Sequence, residues 1–492
     1  MKRKIGLLFA LFSILTLMVF ALTACGDSNN GGSQGSIEDK IDLSFKTLTV
    51  NGSEAYGEVS DFTEGFSFAD EITTGGDTDF LVSLDPYGME DVFTKTVPLN
   101  ECENTFYIHA TLNGKFVKTY KVIIHQEHSD STVIGNLKVA YNKLDSTYEV
   151  TGVIDNTIEK IVVPHCVSGI GDNAFSKCIN LKSVTISDGV KSIGDEAFYY
   201  CTNLMNVTIP DSVTSIGEKS FYYCRSLSSA TIGNGVTSIG DYAFFHCNKL
   251  MNATIGNCVT AIGDFAFAYC ENLASITIPD SVITIGDYAF AYCEDLTSIT
   301  IPHSATSTGN FTFSDCKSLT RVVIEKGVKS IGNGAFGGCT GITNLSLPNS
   351  VTSIGSQAFT VCTSLTNITI PDCVTSIGDG AFASCTSLAS INVSTNNASY
   401  KSINGNLYTK DGQTLVQYAP GKTETSFKIP KNVTSIGNGA FFSCISLTSI
   451  TIPESVTSIG SNAFTGCNKL VEVIDHSSLN ITAGSEDYGY AG

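Results

Sequence analysis

Apolar residues return to the same places every 23 residues from about Ile154 to Leu470, some two-thirds of the chain. A clean copy begins at Cys270 and reads CxxLxxIxIPxxVxxIGxxAF, with Leu273, Ile276, Ile278, Val282, Ile285, Ala289 and Phe290 at its apolar places. Within LxxIxI the alternation predicts a short strand with Leu273, Ile276 and Ile278 inward and Ser275 and Thr277 outward. Proline at Pro279 removes a donor and ends the strand. Gly286 allows a tight bend, and the residue after this glycine is Asp, Glu, Asn or Ser in every copy, as at Asp172, Glu218, Asn310 and Ser356. That choice predicts an N-cap on a short helical turn holding Ala-Phe. A period of this length means stacked units, each burying its apolar face only against its neighbours. The expected fold is therefore a solenoid of twelve ~23-residue coils, made of short strands and short helical turns.

The repeat resembles the leucine-rich repeats of BspA-type bacterial surface proteins over residues 154–470. That resemblance implies cell-surface attachment or host-protein binding by a non-catalytic solenoid.

One residue type marks each coil. Cysteines at 178, 201, 224, 247, 270, 293, 316, 339, 362 and 385 are 23 apart, and Cys444 and Cys467 resume the series. Seventeen cysteines in an exported chain would ordinarily suggest disulfides. Here the fixed place after Ala-Phe asks for a small apolar filler, and free cysteine packs well there. Side chains that all point one way also give poor bridging geometry, so buried free thiols are expected. The gap from Cys385 to Cys444 holds an insertion at about residues 394–429. Asn404-Gly405 and Asp411-Gly412 flank alternating runs there, predicting a β-meander that bulges from one coil. Insertions on one face of a solenoid often bind, which makes it a second candidate surface.

Residues 1–25 carry Lys2, Arg3 and Lys4, an apolar run from Ile5 to Leu22, and then Thr23-Ala24-Cys25, the pattern of an export signal. The ending resembles a bacterial lipobox, which implies a lipid on Cys25 and anchoring on the outer side of the cell membrane. No later segment offers the ~20 apolar residues a span requires, so that lipid is the expected membrane contact. Residues 26–37 are rich in Gly, Ser and Asn and read as a flexible linker. Residues 38–126 alternate apolar and polar, with Asn113-Gly114 between Phe106–Ala110 and Tyr120–Ile124, and predict a small all-β domain. It is similar to the cadherin-like or Ig-like β-sandwiches of bacterial surface proteins. Residues 127–153 read as a linker and N-terminal cap, and 471–492 as a C-terminal cap or tail.

The net charge of −19 excludes a phosphate-tracking, nucleic-acid role. Eleven acids and no Lys or Arg lie between Lys46 and Lys95. Without a fixed ligand spacing they read as solvated loops rather than a Ca²⁺ site. The seven His form no metal spacing and converge with no nucleophile or acid–base set. No enzyme, cofactor or metal is therefore expected.

Two surface columns remain. On the strand face, pairs such as Ser183/Thr185, Asn206/Thr208 and Ser275/Thr277 form a flat array of hydroxyls and amides, suited to binding or simply to keeping a sheet soluble. On the turn face, Tyr242/His246, Phe265/Tyr269 and Tyr288/Tyr292 are spaced i,i+4, on one side of a turn. With Tyr199, Tyr200, Tyr222, Tyr223, Phe245 and Phe311 they form an aromatic band in the early repeats, where later coils have Gly334, Gly338, Gln357, Val361, Gly380 and Ser384. Both kinds of coil keep the inward residues. The band is read either as packing between coils or as an interaction surface for an extracellular protein or glycan. Self-association through the solenoid is the alternative.

Overall fold

The computed structural model describes residues 132–142 and 147–479, together with nine strands between Leu43 and Glu127. The leader with Cys25, the 26–37 linker, the side chains of the acidic stretch and the tail beyond residue 479 lie outside the described residues.

In the N-terminal segment, five strands form one sheet in the order Thr49–Asn51, Glu54–Ser60, Lys115–Glu127, Glu103–Leu112, Thr78–Ser83. Leu43–Phe45 pairs with Ile72–Thr74, and Phe66–Ser67 with Thr96–Val97. From Thr132 a three-stranded antiparallel meander, Thr132–Ile134, Leu137–Asn142 and Thr147–Val153, leads into the solenoid through a parallel pairing with Val167–Ile170.

The chain then winds through about fourteen turns of a β-solenoid. Each coil has three sides. The LxxIxI strands stack in parallel and in register, as in Ser298↔Arg321, one period apart. The Ser-Ile strands before each Ile-Gly form a second parallel sheet, as in Ser192↔Ser215. The third side holds Ala-Phe, and it differs from the expected helical turn: among the described residues there is no helix.

Consecutive tight turns take the helix's place. Tyr199 N–H donates to Glu196 O and Cys201 N–H to Phe198 O within the coil. The alternate donors leave the coil instead: Glu196 N–H reaches Glu218 O at 2.8 Å, Phe198 N–H Ser220 O at 2.7 Å, and Tyr200 N–H Tyr222 O at 2.8 Å. Left-handed φ at Glu196 (56°) and Tyr200 (57°) points these donors along the solenoid axis. A helix would satisfy its donors internally and leave this side without main-chain bonds between coils.

The acidic column changes its meaning accordingly. Asp172 Oδ1 accepts Asp195 N–H at 2.8 Å, Asp264 Oδ1 accepts Asp287 N–H at 2.7 Å, and Asn333 Oδ1 accepts Ser356 N–H at 2.8 Å. These side chains bond the next coil rather than cap a helix. The neighbouring glycine also acts differently from the tight-bend expectation. Gly286 is outside the left-handed region, and a Cβ there would lie 2.5 Å from the carbonyl carbon of Gly263 in the coil before. It permits close stacking.

Inside, one phenylalanine per coil forms a continuous stack, from Phe175–Phe198 at 4.9 Å to Phe359–Phe382 at 5.7 Å, with planes within 20° of parallel. The laddered cysteines are free, and all but the half-buried Cys467 are buried. Each thiol from Cys201 to Cys385 donates to the phenylalanine carbonyl of the preceding coil, as in Cys201 Sγ to Phe175 O at 3.1 Å and Cys270 Sγ to Phe244 O at 3.3 Å. The thiol thus fills the corner and gives that carbonyl a second donor. Burial pushes the thiols from Cys201 to Cys339 up, Cys316 to about 12. Cys258 and Cys373 are free and exposed, whereas Cys166 is disulfide-bonded.

Two coils break the pattern of the alanine column, at Ser220 and at Thr312. The Ser220 hydroxyl is the only buried side-chain polar atom without a partner among the described residues. An orphaned hydroxyl costs about 1–3 kcal/mol. Ser220→Ala is expected to stabilise the protein by about 1 kcal/mol, read as a higher denaturation midpoint at unchanged slope.

The insertion does not stand apart from the coils. Tyr400–Ile403 and Asn406–Thr409 pair across Asn404-Gly405, whose φ values of 51° and 75° suit a hairpin turn. Thr414–Gln417 then joins the second sheet beside Ser435–Ile436. Tyr418 is buried and stacks on Phe441 at 5.4 Å. Here the apolar interior divides: one cluster runs from Ile134 to Ala419, the other from Tyr408 to Phe464.

Candidate ligand-binding surface

The turns that replace the helix determine where the aromatic side chains go. Residues four apart share a φ near 57° but stand on separate ridges, so the i,i+4 pairs do not touch as a helix would make them. Tyr242, Phe265, Tyr288 and Phe311 form one column, with ring centroids 4.6 to 4.8 Å apart. Tyr200, Tyr223, His246, Tyr269 and Tyr292 form another, 4.3 to 4.8 Å apart. Between them Tyr199, Tyr222 and Phe245 stack at 5.0 to 5.1 Å. All twelve residues are half-buried.

The middle column then stops. Ala268 and Ala291 replace the ring in the next two coils and are buried, between Phe265, Tyr288 and Phe311 on one side and Tyr269 and Tyr292 on the other. Phe245 is the last ring of the middle column, edge-on to Phe265 at 6.2 Å and to Tyr269 at 5.4 Å.

Every residue of the two outer columns has left-handed φ, between 53° and 60°. For a bulky side chain this costs about 1–2 kcal/mol, and in later coils Gly334, Gly338 and Gly380 occupy the same positions at 57°, 74° and 61°. Stacking returns about 0.5–1.5 kcal/mol per pair, which offsets the strain without exceeding it. The coils need no aromatic residue at these places in order to fold.

Burial pushes the Tyr199, Tyr222 and Tyr292 hydroxyls up, and Asp315 beside Tyr292 adds to it. Burial, aided by Arg225, holds His246 below its ordinary value. All four shifts favour the uncharged forms of these groups. Arg225 lies over the Tyr223 ring at 4.8 Å and Lys219 over Tyr242 at 5.7 Å. Asp241, Asp264 and Asp287 run alongside the column that starts at Tyr242.

On the strand face, Thr185, Thr208, Thr231, Thr254, Thr277 and Thr300 are exposed in a straight row. Arg321 and Val323 interrupt it. The second sheet presents a polar trough of about 510 Å³ lined by Ser307, Ser330, Ser353 and Ser376 and by the glycines beside them. Sequence reasoning did not anticipate this trough, because it depends on the curvature of the stack.

The same architecture occurs elsewhere. A leucine-rich repeat protein from Bacteroides ovatus ATCC 8483 is 30% identical, with 70% of this chain matching 88% of that one at a TM-score of 0.57. A leucine rich cell surface protein from Faecalibacterium prausnitzii A2-165 is also 30% identical, over 70% of this chain and 76% of its own, at a TM-score of 0.39. No curated protein matches the sequence. The BspA type leucine rich repeat region matches residues 155–410, in overlapping stretches, and 420–485. With most of the coils inside that match, the chain belongs to the BspA type leucine-rich repeat family.

Proposed function

We propose that the protein is displayed on the bacterial surface by a lipid on Cys25 and binds an extracellular protein, without catalysis, through the aromatic band. The observation that carries this reading is the set of half-buried aromatics at left-handed positions that other coils give to glycine or to non-aromatic residues such as Glu196, Lys219, Gln357 and Ser384. Half-buried Tyr and Phe in a contiguous band make good anchors for a protein partner. A protein suits the band better than a glycan, because sugars stack on ring faces. Here neighbours 4.3 to 5.1 Å away cover the faces and leave edges and hydroxyls outward. The carboxylates of Asp241, Asp264 and Asp287 favour a partner with basic residues near its apolar ones.

Glycine is the substitution that tests this, since it keeps the backbone of the later coils. Tyr269→Gly/Tyr288→Gly/Tyr292→Gly protein is expected to melt within a few degrees of the parent. It should lose at least about tenfold in capture of its binder from a panel of extracellular-matrix proteins and glycans, as hot-spot tyrosines contribute about 2 kcal/mol or more. Unchanged capture would overturn the assignment. Light scattering that shows a dimer lost in the same variant would favour self-association instead.

A further inference from the structure

We infer a second site, for a zinc-class divalent cation, at Asp280, His303 and Glu325. The three belong to successive coils at the end of the first-sheet strands. His303 Nδ1 is 3.3 Å from Glu325 Oε2 and 4.0 Å from Asp280 Oδ1, and the three ligand atoms lie within 4.8 Å of one another. Around a tetrahedral ion with bonds of about 2.0–2.2 Å, ligand atoms stand about 3.3 Å apart. Small side-chain rotations bring all three to that spacing. One imidazole and two carboxylates suit Zn²⁺ or a neighbouring first-row ion better than Ca²⁺, which prefers oxygen alone. The exposed side leaves a coordination position open to water or to a partner's ligand.

Departures from the repeat coincide here. The place just beyond the strand end is Asp211, Asn234, Asn257 and Asp280, then His303, an imidazole that the column otherwise holds only at His165. Where neighbouring coils have Pro279, Pro302 and Pro348, the next has Glu325. In the ordinary column, Asp211 Oδ1 accepts Asn234 N–H and Asn234 Oδ1 accepts Asn257 N–H. At the site, His303 N–H goes to Glu325 Oε2 at 2.9 Å, reached from the coil beyond. Glu325 is thereby fixed against His303, and Asp280 is released from the task its column performs elsewhere. Two unusual residues and one released carboxylate meet at one point on a rigid scaffold. The expectation of no metal rested on motif spacing, and intervals of 23 and 22 residues match none.

The test is calorimetric titration of the purified protein with zinc chloride. Because Cys258 and Cys373 are exposed thiols that also bind zinc, a Cys258→Ser/Cys373→Ser background is used. One equivalent should bind there, and His303→Ala, Asp280→Asn and Glu325→Gln should each weaken binding at least about tenfold, since even supporting residues of metal sites are worth that much. Circular dichroism checks that these exposed substitutions leave the coils intact. No binding in the Cys258→Ser/Cys373→Ser background, or equal binding in all three variants, would overturn the site.

Discussion

Phe267→Ala is expected to destabilise the protein by about 3–5 kcal/mol, the usual range for removing a buried aromatic ring. Phe267 has no exposed surface and lies between Phe244 at 5.1 Å and Phe290 at 5.4 Å, nearly parallel to both. A globular core can partly collapse around such a gap. In this solenoid the backbone on either side is held by coil-to-coil bonds, such as Phe267 N–H to Ala289 O at 2.8 Å, so the cavity stays open. The loss also falls on two interfaces at once, because each coil touches only its neighbours. Equilibrium denaturation followed by circular dichroism measures it, with Tyr222→Ala as the comparison. Tyr222 is only half-buried and should cost less. Similar costs for the two would mean that the interior stack is not the main source of cohesion.

Gly286→Ala should cost about 3 kcal/mol or more, the upper end for overpacking. The added carbon would meet the Asp264 carboxylate oxygen at 2.5 Å and, beside it, backbone that cannot swing away: Gly263 C at 2.5 Å and Asp264 N at 2.6 Å. Relief requires two coils to move apart, which stretches both sheets. Gly380→Ala is the contrast. It lies at φ 61° with its nearest neighbour 3.6 Å away, so its cost is backbone strain of about 1–2 kcal/mol. Thermal melts should rank Gly286→Ala well below Gly380→Ala. The reverse order would show that conformational freedom, not close approach, explains the invariant glycine.

The periodic part of the structure was legible because repetition averages away local ambiguity. Leu273, Ile276 and Ile278 identify an inward strand face when one coil after another repeats them, and the cysteine spacing locates each coil. Turn chemistry was less legible. Gly286 followed by Asp287, Tyr288 and Ala289 has the residue types of a helix start, and only pairing with the next coil decides for tight turns. The same pairing turns Asp264 from an apparent cap into a bond between coils. The aromatic residues of the band could be identified from sequence, whereas its two ridges could not, because left-handed φ at Tyr288 and Tyr292 sets where their rings point. The group at Asp280, His303 and Glu325 escaped notice because Glu325 reaches backward across a coil, and no linear pattern encodes that reach.

The division of the interior at the inserted meander has a mechanical consequence. The aromatic band ends at Phe311, well before the insertion near residue 400, and the proposed anchor precedes both. Tension between a captured partner and the membrane would therefore run through the first apolar cluster alone. The coils stacked on Phe441 and Phe464 would hang beyond the line of force. Under load they would neither yield nor strengthen the grip.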